Sequence, residues 1–112
     1  MKAADFDGTY TRFSELHGKV DFVITGRGWD EFKTVDDGTK LDCPIFFNPS
    51  EEDKIMKNYP LSVVNHKADI INRAGVDVFF ENMPQQVSLL KLFCPKCTIV
   101  QVEPGKDLSQ YL

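Results

Sequence analysis

The chain has no long apolar run. No stretch approaches the roughly 20 residues of a membrane-spanning helix, which excludes a membrane-embedded reading. It has no excess of positive charge. Thirteen Lys and Arg stand against 17 Asp and Glu, and the net charge of −4 gives no electrostatic case for nucleic-acid binding. It has no signal-peptide pattern either, since one lysine is followed at once by Asp5, so a cytoplasmic location is expected. Histidine and cysteine are scarce. Cys94-Pro95-Lys96-Cys97 has the spacing of a zinc or redox half-site, but only Cys43, His17 and His66 remain to complete four ligands. Reduced structural thiols are the expectation in that compartment.

What is present is an ordinary globular composition over 112 residues, the size of one domain with one real core. Lys2–Asp5 reads as a short strand closed by a carboxylate, with Asp7 two residues on and Gly8-Thr9 following. Aspartates are poor strand formers, so acids closing an apolar run suggest a strand tip aimed at a site. Two carboxylates about 4 Å apart repel by roughly 4 kcal/mol at an effective dielectric near 20, so a cation between them or a retained proton is needed.

Further along, Thr11–Leu16 reads as one or two helical turns stopped at Gly18. Val20–Ile24 reads as a second strand leaving through the glycine turn Thr25-Gly26-Arg27-Gly28. Trp29–Val35 reads as a short helix broken at Asp36-Asp37-Gly38, and Cys43–Phe47 as a third strand. Ser50-Glu51-Glu52-Asp53 fits a capping box opening a helix to about Asn58. Asn65 is a good N-cap for a helix His66–Ala74 ended by Gly75. Val76–Phe80, closed by Glu81, reads as strand four. Pro84 suits the first turn of a helix ending at Cys94, Thr98–Val102 reads as strand five, and the last residues as a helical turn or a frayed end.

Strands alternating with helices argue for an α/β fold, a parallel sheet with helices on both faces and a site beyond the strands' carboxyl ends. Asp5, Thr25 and Glu81 fall at such ends. Lys67, placed in the first turn of its helix, is disfavoured by the helix dipole by about 0.3–1 kcal/mol unless an anion lies near.

Asp5-Phe6-Asp7-Gly8-Thr9, Val23-Ile24-Thr25-Gly26-Arg27, Lys67 in Asn65-His66-Lys67-Ala68, and Phe79-Phe80-Glu81-Asn82 stand in that order along nearly the whole chain. The set resembles the haloacid dehalogenase-like phosphohydrolases, of the type without a cap domain. The resemblance implies a Rossmann-like three-layer sandwich whose five-stranded, mostly parallel sheet is ordered 3-2-1-4-5. It implies Asp5 as the nucleophile forming an aspartyl-phosphate, Asp7 as acid and base, Thr25 on a phosphoryl oxygen and Lys67 as charge neutraliser. Gly8, Thr9, Gly26 and Arg27 would then line the substrate, and Asp5, Asp7 and Glu81 would hold Mg²⁺.

The pattern departs from the family at Asn82, where a second acid is common, and at Tyr10, where an aliphatic residue is usual. The interval Thr9–Val20 has no room for a cap. An uncapped site implies a bulky phosphorylated substrate, macromolecular or handled by a homo-oligomer, to exclude water. The alternative is a catalytically weak or silent binding domain on the same fold. A phospho-accepting receiver domain fits poorly, because its acid lies at the end of strand three, where this chain has Asn48-Pro49.

Overall fold

The structure is a computed structural model and describes residues 1–29 and 41–112. Five strands form one sheet: β1 (Lys2–Asp5), β2 (Phe22–Gly28), β3 (Ile45–Asn48), β4 (Val78–Glu81) and β5 (Thr98–Gln101). The order is β3-β2-β1-β4-β5 and every pairing is parallel. The expected α/β architecture and strand order are therefore present. Side chains alternate between the two faces, as a sheet covered on both sides requires. Ala3, Phe22, Ile24, Phe79 and Ile99 point to one core, while Ala4, Val23, Phe80 and Val100 point to the other.

The first core is closed by three helices, α1 (Glu52–Lys57), α2 (Leu61–Ala74) and α3 (Pro84–Phe93). The second is closed differently. Among the described residues no α-helix packs there; Phe6, Tyr10, Phe13 and Leu16 from the β1–β2 connection and Val102 and Leu108 from the chain's last stretch do. These segments form a π-type turn at Phe6–Tyr10, broken by non-helical backbone at Asp7 and Gly8, and single 3₁₀ turns at Ser14–Leu16 and Ser109–Tyr111. Helices were expected on both faces; among the described residues the α-helices lie against the first core. The expected helix at Trp29–Val35 and its break at Asp36-Asp37-Gly38 lie largely outside the described residues. No described helix is long and apolar enough to cross a membrane.

Three boundaries differ from expectation. Strand β2 does not end at Ile24 but runs through Thr25, Gly26 and Arg27 to Gly28, with a register irregularity against β3 between Ile24 and Gly28. Asn48 stitches this irregularity, its Nδ2 donating to the Gly26 carbonyl at 3.2 Å and its Oδ1 accepting from the Ser50 amide at 3.0 Å. That use of Ser50 removes the expected capping box: α1 starts after Glu51, with no side-chain cap. The third difference is the largest. Helix α2 starts at Leu61 rather than His66, because Val63 and Val64 are buried against the sheet and packing overrides the N-cap preference of Asn65. Gly75 ends it in the left-handed conformation, as expected.

Candidate active site

The carboxyl ends of β1, β2 and β4 meet at one edge, because parallel pairing in register brings Asp5 beside Ile24 and Glu81 one residue past the Ala4–Phe80 pair. Helix α2 crosses above. Its buried stripe is Val63, Val64, Lys67, Ala68 and Ile71, at helical spacing, so a lysine occupies a position where the pattern calls for an apolar residue. Lys67 is only 2% exposed and points into the strand tips. It lies at the seventh residue of the helix, beyond the first turn to which the dipole effect is confined. The dipole penalty expected for it does not apply.

The Lys67 ammonium has three acceptors: Asp5 Oδ1 at 2.8 Å, Glu81 Oε1 at 2.7 Å and Gln86 Oε1 at 2.7 Å. An ammonium has three N–H donors, so all are used. Glu81 is completely buried. Its second oxygen accepts from the amides of Asn82 and Met83 at 3.0 and 3.2 Å, which holds the β4–α3 turn. The Asp5 carboxylate is completed by the Thr9 hydroxyl, which lies 3.1 Å from Asp5 Oδ2 and 3.1 Å from Asn82 Oδ1.

Asp7 takes a different partner. Its carboxylate pairs with the Arg27 guanidinium at 2.8 Å. The two aspartates of the first motif therefore do not share one cation. Lys67 serves the buried one and Arg27 the partly exposed one.

These groups open on a cleft of about 260 Å³. Asp5, Asp7, Gly26, Arg27 and Lys67 line it, as does Asn82. Thr25, Gly8, Thr9 and Glu81 are not among its lining residues. The Thr25 hydroxyl accepts from the Arg27 amide at 3.1 Å and so shapes the β2 irregularity. Gly8 has φ of +74°, and a Cβ there would come 2.5 Å from Asn82 Nδ2. Its absent side chain makes room for the Asn82 carboxamide. Gly26 does the same for α2: a Cβ would come 2.7 Å from Val63 Cγ1.

Burial pushes Asp5 above the ordinary carboxylate range, to about 7; Lys67 pulls it down and the neighbouring Glu81 charge pushes it up. Burial works against the charged form of Lys67, but Asp5 and Glu81 outweigh it and raise its pKa, so the ammonium keeps its proton. Two buried acids facing one ammonium leave a surplus of oxygen acceptors. Thr9 adds to the surplus, since its single hydroxyl proton cannot satisfy both Asp5 Oδ2 and Asn82 Oδ1. These all-oxygen donors suit a hard divalent cation. Glu81 suits it less than expected, because both its oxygens are already engaged. Among the described residues no three His, Cys, Asp or Glu side chains form a metal-holding group.

Two residues of the site were missed in the sequence, Gln86 and Tyr59. Gln86 is buried and shares a stripe with Val87 and Leu90 on α3, so its signal is the one Lys67 carries, a polar residue at an apolar position. Its Nε2 reaches the Tyr59 hydroxyl at 3.4 Å. Tyr59 lies in the α1–α2 connection and carries no such periodic signal. Cys94 and Cys97 stand apart from the site, with burial raising both thiol pKa values. His66 does not line the cleft either. No family model, curated protein or solved structure matches this chain.

Proposed function

We propose that this chain is a phosphohydrolase of the haloacid dehalogenase-like type, cleaving a phosphate monoester through an aspartyl-phosphate on Asp5. The observation that carries the reading is the buried Asp5–Lys67 pair at 2.8 Å opening on the cleft that Asp7 also lines. An Asp5 carboxylate oxygen attacks phosphorus and the bond from phosphorus to the ester oxygen breaks. Asp7, entering as the carboxylic acid with its Arg27 ion pair broken, gives its proton to the leaving oxygen, which departs as an alcohol. Water then attacks the aspartyl-phosphate, Asp7 takes its proton, the bond to Asp5 breaks, and inorganic phosphate leaves. Arg27 holds Asp7 over the cleft, and Lys67 offsets negative charge on Asp5 and the phosphoryl group.

Asp5 and Asn82 side-chain oxygens and the Asp7 main-chain carbonyl would hold Mg²⁺, with Glu81 acting on it through Lys67 and the β4–α3 turn. The ion would supply charge neutralisation at the phosphoryl oxygens. Thr9 and Thr25 position the loop and the strand tip rather than the ester. The cleft is open, so a bulky phosphorylated substrate or a second copy of the chain would exclude water.

The test is hydrolysis of generic phosphate esters with Mg²⁺ by the wild-type chain and by Asp5→Asn. The variant is expected to lose about a thousandfold or more of the rate; unchanged turnover would refute the mechanism. A silent phosphate-binding domain is the second reading. One observation favours it: all three Lys67 donors are already taken within the protein. Tight binding of beryllium fluoride at Asp5 without turnover of any ester would support it.

A further inference from the structure

We infer that the phosphate monoester taken by this site carries an aromatic group within one or two bonds of its ester oxygen. The inference rests on the phosphohydrolase reading and adds a substrate class to it. The cleft is lined by two kinds of side chain. Asp5, Asp7, Arg27 and Lys67 bring the reacting groups to its lining, and Met56, Tyr59 and Met83 bring large apolar ones. Those three side chains are 65%, 45% and 40% exposed. One exposed apolar residue is ordinary, but three large ones lining one cleft mark a binding surface. Methionine thioethers and a tyrosine ring are suited to a flat aromatic partner, through sulfur–aromatic contact and ring stacking.

Tyr59 is also tied to the reacting end. Its hydroxyl meets Gln86 Nε2, and Gln86 Oε1 accepts from Lys67. A ring packed on Tyr59 thus lies one hydrogen-bonded side chain from the ammonium beside Asp5. Charge narrows the class further. Among the described residues the cations lining the cleft are Arg27 and Lys67, each already paired with an acid, and Glu52 stands at the same cleft. That arrangement disfavours a second phosphate on the substrate and favours a neutral body. A cleft of about 260 Å³ lies below the ~300–1,000 Å³ of drug-sized pockets, so about one ring fits inside it and any bulkier remainder lies outside.

The test compares benzyl phosphate with ethyl phosphate, using the full chain and Mg²⁺. Both release a poorly acidic alcohol, so the ratio of kcat/KM reports the body of the substrate rather than the leaving group. Benzyl phosphate is expected to be preferred by about tenfold or more, within the range that apolar pocket contacts provide. Tyr59→Ala and Met83→Ala are each expected to cut that ratio about fivefold, whereas Tyr59→Phe, which keeps the ring, retains it. Equal efficiency on the two esters, or an undiminished ratio in both alanine variants, overturns the inference and leaves the phosphohydrolase reading standing. Turnover of neither ester overturns both.

Discussion

Lys67 decides most of what happens at this edge of the sheet. It is a cation in a stripe of apolar side chains, and the cost of burying it is met by Asp5, Glu81 and Gln86. Removing one partner of a buried ion pair leaves uncompensated charge, a loss of roughly 3–5 kcal/mol. Lys67→Met is therefore expected to lower unfolding stability by that amount in a urea titration, although methionine matches the stem's bulk. A loss below about 1 kcal/mol would mean that Asp5 and Glu81 do not depend on the ammonium. Gln86 contributes a neutral acceptor, so Gln86→Leu is expected to cost less, about 1–3 kcal/mol for the donor left unpaired.

The connections between strands and helices show where local preference and packing disagree. Asn65 is exposed and inside α2, four residues after its first residue. At an N-cap, Asn→Ala costs about 1 kcal/mol; inside an exposed helix it gains roughly 0.5 kcal/mol. Asn65→Ala is thus expected to stabilise the protein slightly, and clear destabilisation would restore the boundary at His66. The glycines make a similar contrast. Gly75 and Gly8 both have positive φ, but nothing lies within 4 Å of a Cβ at Gly75, whereas Asn82 blocks one at Gly8. Gly75→Ala is expected to cost the backbone term alone, about 1–2 kcal/mol. Gly8→Ala is expected to cost more, since Asn82 must also move, and the same titration reads both.

At the scale of the whole molecule, the described residues cover the second face of the sheet with side chains from the β1–β2 connection and the chain's last stretch. Tyr10 is their largest fully buried member and donates its hydroxyl to Asp42. Burial, and then that hydrogen bond, pushes the phenol up to about 12. An unfolded chain releases the same proton near 10, so it loses the proton first as pH rises. The Tyr10 contribution is complete below about pH 10 and falls by roughly 2–3 kcal/mol by pH 12. Tyr10→Phe is expected to flatten that part of the curve, as followed by denaturant midpoint against pH. The Cys97 thiol, also raised to about 12 by burial, adds a loss that begins lower, near 9.

Four strands were legible because β-branched and aromatic runs bounded by Gly, Pro, Asn or an acid report local chemistry, β1 because a short apolar run closes on Asp5, and the strand order followed from the family resemblance. The gathering of Asp5 and Glu81 at one edge was legible too, since both close strands that the sheet makes parallel. Of the partners of those acids, only Lys67 was expected, from the family resemblance. Whether Lys67 faces an anion depends on where α2 begins, and the burial of Val63 and Val64 decides that, not the capping preference of Asn65. Likewise, the division of the two aspartates between Lys67 and Arg27, the engagement of both Glu81 oxygens, and Gln86 as a third acceptor arise between elements distant in the chain. Spacing along one segment carries no record of such contacts; they exist only once the sheet has closed and the helices have packed upon it.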